Sequence, residues 1–160
     1  MSVLTFRTPP SLIQLPVGQM SIQNPQSVLV FAGPRVPVTI SLTSVIAAQY
    51  SQDGLIAPAA LTGYALIDSG AANTCVDEAA VIAGGYNPID KSFMTSATHE
   101  KIPCGIFAIN ININSVSIDV NRASGANLAP QNLLALIGRD VLSNAIFVYN
   151  GVSGEFVLSF

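Results

Sequence analysis

ALIDSGA, residues 65–71, sets a carboxylate between two bulky apolar side chains and a small, flexible Ser-Gly pair. Only 9% of the chain is charged, so each charge carries information, and Asp68 stands directly behind the strand-like run LTGYALI, residues 61–67. Taken alone, Asp-Ser-Gly describes a turn after a strand, because all three residues favour turns. An Asp-(Ser/Thr)-Gly triplet arises by accident in on the order of one chain in ten of this length. Its surroundings lift it above that: Leu66 and Ile67 precede it, Ala71 follows, Thr74 lies shortly beyond, and LIGRDVL, residues 136–142, comes later in the chain.

Working outward, the chain reads as a β protein. Residues 1–26, rich in Pro, Gln and Ser, predict an extended arm and not a packed element, with the folded domain over 27–160. SVLVFAG and RVPVTISLT, residues 27–33 and 35–43, predict two strands joined by a turn at Gly33-Pro34. Residues 43–60, with Gln52-Asp53-Gly54 inside, predict a hairpin or loop insertion. VDEAAVIAGG, residues 76–85, opens on Asp77 and Glu78 and stops at Gly84-Gly85, as a short helix capped at both ends does. KSFMTS and IPCGIFAININI flank the polar tip ATHEK, residues 97–101, in a hairpin pattern. INININSVSIDV, residues 109–120, alternates with period two and predicts one half-buried antiparallel strand whose Asn, Ser and Asp face solvent. A helical turn over RDVLSN, residues 139–144, and strands in AIFVY and GEFVLSF, residues 145–149 and 154–160, follow.

Composition bounds the function. The 160 residues suit one domain with a core that needs no disulfides, and the mean hydropathy of +0.53 leaves apolar surface for self-association. A net charge of −3, with the basic residues scattered singly, offers no patch for a phosphate backbone, so nucleic acid is not an expected partner. Cys75 and Cys104 lack the spacing of a metal or redox pair and read as buried small hydrophobes. His99 is the only histidine, without ligands or a nucleophile at useful spacing; no metal or cofactor is expected. Pro9, Pro10 and Pro16 break the N-terminal apolar run, so it does not read as a signal peptide, and no run is long enough to span a membrane. The expectation for the chain as given is a soluble, cytoplasmic protein.

ALIDSGAANT followed by LLALIGRDVL, residues 133–142, resembles the retropepsin-type aspartic proteases over about residues 28–160. The resemblance implies an all-β, closed barrel-like fold with one or two short helices and a flap hairpin. It further implies an endopeptidase in which Asp68 is catalytic, Ser69, Gly70 and Ala71 support the loop, and Thr74, Gly138, Arg139 and Asp140 hold it. Ala72, Asn73, Thr98 and His99 take positions that would meet a polypeptide substrate.

The chemistry accounts for those residue types. Water cleaves a peptide bond when one carboxylate takes its proton and another protonates the carbonyl oxygen; two carboxyls about 3 Å apart share a proton and supply both roles. Asp68 is the chain's one aspartate followed by Ser/Thr and Gly, so a catalytic pair requires a second copy, and a symmetric homodimer is expected. The resemblance assigns much of the interface to terminal strands, with the apolar edge of GEFVLSF a candidate. Ser69 is expected to brace the loop through its hydroxyl.

Two departures from viral members stand out. The tip ATHEK has no glycine where theirs is glycine-rich, and Ala72 and Asn73 replace their acidic pair, so Arg139 must find the backbone or Asp140 instead. Ala71 in place of Ser or Thr implies a working pH only mildly acidic. Two other classes of function remain compatible: an inactive binding or dimerisation module on the same fold, and an assembly-forming structural β protein.

Overall fold

The structure, a computed structural model, describes residues 2–9, 11–14, 20–95 and 101–160. In chain order the elements are β1 (Val3–Arg7), β2 (Ser11–Gln14), β3 (Met20–Gln23), α1 (Pro25–Ala32), β4 (Arg35–Leu42) and α2 (Ser44–Gln52). There follow β5 (Leu61–Ile67), β6 (Cys75–Asp77), α3 (Glu78–Ala83), β7 (Asp90–Met94), β8 (Ile102–Ile113) and β9 (Val116–Ala126). A 3₁₀ turn at Ala129–Gln131 leads to β10 (Ala135–Ile137), α4 (Arg139–Leu142), β11 (Ile146–Asn150) and β12 (Glu155–Ser159).

Alternation decides the main sheet. Val36, Val38 and Ile40 of β4 point inward, as do Ala65 and Ile67 of β5 and Ile109, Ile111 and Ile113 of β8, and all are buried. These strands can satisfy both their backbone edges and their apolar faces only by closing on themselves. β4 pairs with β5, β5 runs parallel to β10, β10 pairs with β6, β6 runs parallel to β9, and β9 pairs with β8. β8 returns to β4 through Thr39 opposite Asn112 to Leu42 opposite Ile109, which makes a closed six-stranded barrel. The length of β8 lets it serve twice: its first half pairs with β7 and its second with β4, the change falling at an irregularity between Phe107 and Ile109. Phe107, 1% exposed, fills the interior there, and burial of such a side chain contributes roughly 1.5–3 kcal/mol. The expectation of a closed, mainly β fold is met.

A second sheet, in the order β1-β12-β11, lies against the barrel. Phe156 and Leu158 of β12 are buried in the same core; Phe6 stacks on Phe156 at 5.1 Å between ring centres, and Phe147 meets it edge-on at 6.3 Å. β12 is central, with both edges taken by its own chain, which corrects the expectation that GEFVLSF offers an apolar edge to a partner. The stretch 1–26 also departs from an unpacked arm: Leu4 and Phe6 of β1 lie on the core, and β2 pairs with β3.

Three local expectations are overturned. Residues 27–32 are helical, not a strand, because Asn24 Oδ1 accepts the Ser27 N–H at 2.8 Å, Pro25 opens the first turn, and Gly33 at φ 74° stops it. Residues 44–52 form α2, not a hairpin: Thr43 Oγ1 accepts the Ile46 N–H, and the Gln52–Gly54 turn follows, with Gly54 at φ 66°. The chain therefore has four short α-helices among the described residues, more than the one or two expected. INININSVSIDV is a hairpin and not one strand, β8 turning into β9 at Asn114, whose φ is 53°. The two-faced reading survives: Asn110 donates to Ser117 Oγ and Asp119 Oδ1 on the outer face, both at 2.8 Å. β7 and β8 pair antiparallel, while the segment expected as a flap tip, including Thr98, His99 and Glu100, lies outside the described residues.

Candidate active site

Parallel pairing of β5 with β10 continues one residue past the strand: the Asp68 N–H donates to the Ile137 carbonyl at 2.9 Å. Asp68 is thus delivered at the strand end while its chain turns away. Its Oδ1 accepts the N–H groups of Gly70 at 2.8 Å and Ala71 at 3.2 Å, closing the turn on the side chain. Its Oδ2 takes no hydrogen bond from the described residues. A Cβ on Gly70 would stand 3.0 Å from Oδ1, so the glycine keeps the carboxylate uncrowded.

The loop is then latched from below by α4. The N–H groups of Arg139 and Asp140, at the start of that helix, donate to the carbonyls of Ala71 and Ala72 at 3.0 and 3.2 Å. Arg139 Nη1 donates to the carbonyls of Ser69 at 2.8 Å and Gly70 at 2.9 Å, which settles on backbone the partner left open between backbone and Asp140. Ser69 contributes its carbonyl to this latch. Thr74 and Asp140 close the other side: Thr74 donates through its N–H and Oγ1 to the two carboxylate oxygens, and that Oγ1 accepts the Gly138 N–H at 3.1 Å. Gly138 is required by proximity, since a Cβ there would fall 2.5 Å from the Asn73 carbonyl carbon.

Above the loop lies a cleft of about 730 Å³. Asp68, Gly70, Ala71, Ala72 and Asn73 line one wall. Phe93, Met94 and Thr95 of the β7 hairpin line another. Thr74, Gly138, Arg139 and Asp140 brace the loop without lining the cleft. Sequence reasoning missed Cys75, Ser124 and Arg122 in the lining. Cys75 follows the loop directly, a signal that was available; Arg122 and Ser124 reach the cleft only through the β6–β9–β8 register.

Electrostatics around the cleft follows from burial and pairing. Burial pushes the Cys75 thiol up to about 11, with the Asp140 carboxylate, Cys104 and Asp68 adding to the rise. Cys75 and Cys104 are both buried and unbridged, as expected. Arg122 Nη2 donates to Asp90 Oδ2 at 2.8 Å, and this bond, with the Lys91 N–H, holds the Asp90 carboxyl below its ordinary range. Among the described residues no three His, Cys, Asp or Glu side chains gather as a metal site would need, and no helix is long and apolar enough to cross a membrane.

The arrangement presents one carboxylate with one oxygen fixed by backbone and the other unengaged among the described residues, beside a cleft of the size that takes small ligands. Such a group can take a proton from water.

No protein-family model matches the chain, and no curated protein matches it. Among solved structures, the protease of Simian Foamy Virus (mac) is similar, with a TM-score of 0.40 and 14% identity over 67% of this chain and 91% of that one. A retropepsin-like aspartic protease from Rickettsia conorii is also similar, with a TM-score of 0.40 and 12% identity over 79% of this chain and 92% of that one.

Proposed function

We propose that this chain, whose fold is retropepsin-like, is an aspartic endopeptidase that works as a symmetric homodimer. The observation that carries the reading is Asp68 itself: Oδ1 is held by two backbone N–H groups, Oδ2 is unengaged among the described residues, and the residue borders a cleft of about 730 Å³. One protomer supplies one such carboxylate, so the partner's copy supplies the second. At about 3 Å the two share one proton. The ionised member takes a proton from the attacking water, whose oxygen bonds to the scissile carbonyl carbon; the protonated member gives its proton to the carbonyl oxygen. Collapse of that adduct breaks the C–N bond: the carboxyl that took the water proton gives it to the leaving amine, and the other carboxylate takes the proton of one diol hydroxyl, which restores the shared-proton pair.

Substrate would bind extended beneath the β7–β8 hairpin, adding main-chain hydrogen bonds as a strand does. Ala72 and Asn73 line the near wall, and Thr98 and His99 belong to the hairpin tip. Because β12 is flanked on both sides, a partner strand can extend the terminal sheet only at β1 or β11; Ile146 and Val148 of β11 are half exposed there. Ala71 contributes no hydroxyl toward the carboxylates, and the working pH is expected to be mildly acidic, well above about pH 2.

The test compares wild type with Asp68→Asn on an unbiased peptide mixture, alongside sedimentation equilibrium. Cleavage by wild type, blocked by a statine-type transition-state mimic and absent in Asp68→Asn, is the expected result, with a dimer in solution. Cleavage that survives the substitution, or an active species of one chain's mass, overturns the reading. A dimer that cleaves nothing would be an inactive binding module.

A further inference from the structure

A second cavity, of about 530 Å³, shares no lining residue with the Asp68 cleft. It lies between β1, α1 and the first turns of β4, and its apolar walls come from Phe6, Val28, Phe31 and Tyr64. Phe31 is 80% exposed and Tyr64 53%, so two aromatic rings border the opening without protein cover. Isolated exposed apolar residues are ordinary; two aromatics converging on one concavity of ligand size are not.

Charge distinguishes this cavity further. Arg7 and Arg35 both line it, two of the chain's six basic residues, and no Asp or Glu stands among its described lining residues. Arg35 Nε donates to the Ala32 carbonyl at 2.9 Å, which anchors the side chain at the end of α1 and, among the described residues, leaves the paired Nη groups uncommitted. No carboxylate comes within ion-pair distance of Arg35 among the described residues. Among the described residues Arg7 makes one ion pair, with Glu155 at 3.8 Å between two solvent-accessible groups, too long for a hydrogen bond and weakly held in water. Thr8, a further lining residue, is 8% exposed, and its hydroxyl is turned away from solvent without a hydrogen-bond partner among the described residues.

Helix C-capping accounts for the Nε bond of Arg35 but not for a second arginine, the absence of acids or the uncovered rings. We propose that this cavity binds a small amphipathic anion. Its carboxylate or sulfonate meets the guanidinium fork of Arg35, with Arg7 nearby, and its aryl or short acyl body lies against Phe6, Phe31 and Tyr64. The guanidinium supplies planar paired donors and the rings supply apolar area at little entropic cost. The site is independent of the peptidase reading.

The test uses two fluorescent probes with one aromatic body: 8-anilinonaphthalene-1-sulfonate, which carries the anion, and N-phenyl-1-naphthylamine, which lacks it. The full chain should bind the sulfonate at one saturable site, and the neutral probe weaker by about tenfold or more, the factor expected for a charge-assisted hydrogen bond. Arg35→Gln should weaken the sulfonate by a similar factor, Phe31→Ser should weaken both probes, and Arg35→Lys should fall between wild type and Arg35→Gln. Circular dichroism checks that each variant is folded. Equal affinity for the two probes, or sulfonate binding unchanged in folded Arg35→Gln, overturns the proposal.

Discussion

Thr74 and Asp140, 66 positions apart, are joined by two hydrogen bonds, from the Thr74 N–H to Oδ2 at 2.9 Å and from Thr74 Oγ1 to Oδ1 at 2.8 Å. Because Thr74 Oγ1 also accepts the buried Gly138 N–H, one hydroxyl serves both halves of the latch under the Asp68 loop. Thr74→Val keeps the shape and removes both hydroxyl bonds, leaving a buried N–H and a carboxylate oxygen short of partners. It should cost about 2–4 kcal/mol in denaturant unfolding, and Thr74→Ser should recover most of that. A Thr74→Val chain as stable as wild type would show that the hydroxyl is dispensable.

Gly138 tests the same latch by contact. Its φ of −88° is open to any residue, so Gly138→Ala isolates the clash of a methyl with the Asn73 backbone. The loss should be about 1–3 kcal/mol, the usual range for overpacking. Since backbone and not a flexible side chain must yield, the proposed peptidase activity should fall more than stability does. Activity and stability both at wild-type levels would contradict the close approach of the two segments.

Cys75 sets an alkaline limit. Its folded pKa, about 11, exceeds the ordinary 9.0, so the stability it contributes is complete below about pH 9 and is lost as pH rises through about 11. Thermal midpoints measured from pH 8 to 11 should fall across that window, and less steeply in Cys75→Ala, whatever that substitution costs at neutral pH. At pH 8 the thiolate is about a hundredfold scarcer than in an ordinary thiol, so iodoacetamide should label native Cys75 slowly and the unfolded chain fast. Labelling at the rate of a free thiol would sink this expectation.

Asp77 holds α3 in place. One carboxylate oxygen caps the helix through the Ala80 N–H at 2.9 Å and the other takes the Leu128 N–H at 2.8 Å. Asp77→Ala orphans both donors in a buried site and should cost about 2–4 kcal/mol. Asp77→Asn keeps one acceptor and should cost less. Equal midpoints for the two variants would mean that only one of the bonds matters.

Much of this arrangement is legible in residues alone. Period-two runs mark β4, β5 and β8, and Asp77 with Gly84-Gly85 brackets α3. The DSG and GRD segments announce each other because each needs the other's backbone. Where legibility fails, local chemistry competed with composition. Val28, Leu29, Val30 and Phe31 favour a strand, but the cap at Asn24-Pro25 and the stop at Gly33 settle a helix. The β8–β9 turn lacks glycine, and alternation continues on both sides of it, so the pattern conceals the reversal at Asn114. Arg122 was out of reach for another reason: its place in the cleft depends on which strands lie beside β9, and pairing partners leave no mark on a strand's own residues.

The position of β12 between β1 and β11 has a kinetic consequence. A protomer completes its terminal sheet without help, down to the reciprocal bonds between Ser2 and Phe160 at 2.8 and 3.0 Å. Folding is then first order in chain, while the active site proposed above, assembled from two copies, is second order. On serial dilution the circular dichroism per chain should stay constant as turnover per chain declines, separating the concentration at which this protein exists from the concentration at which it works.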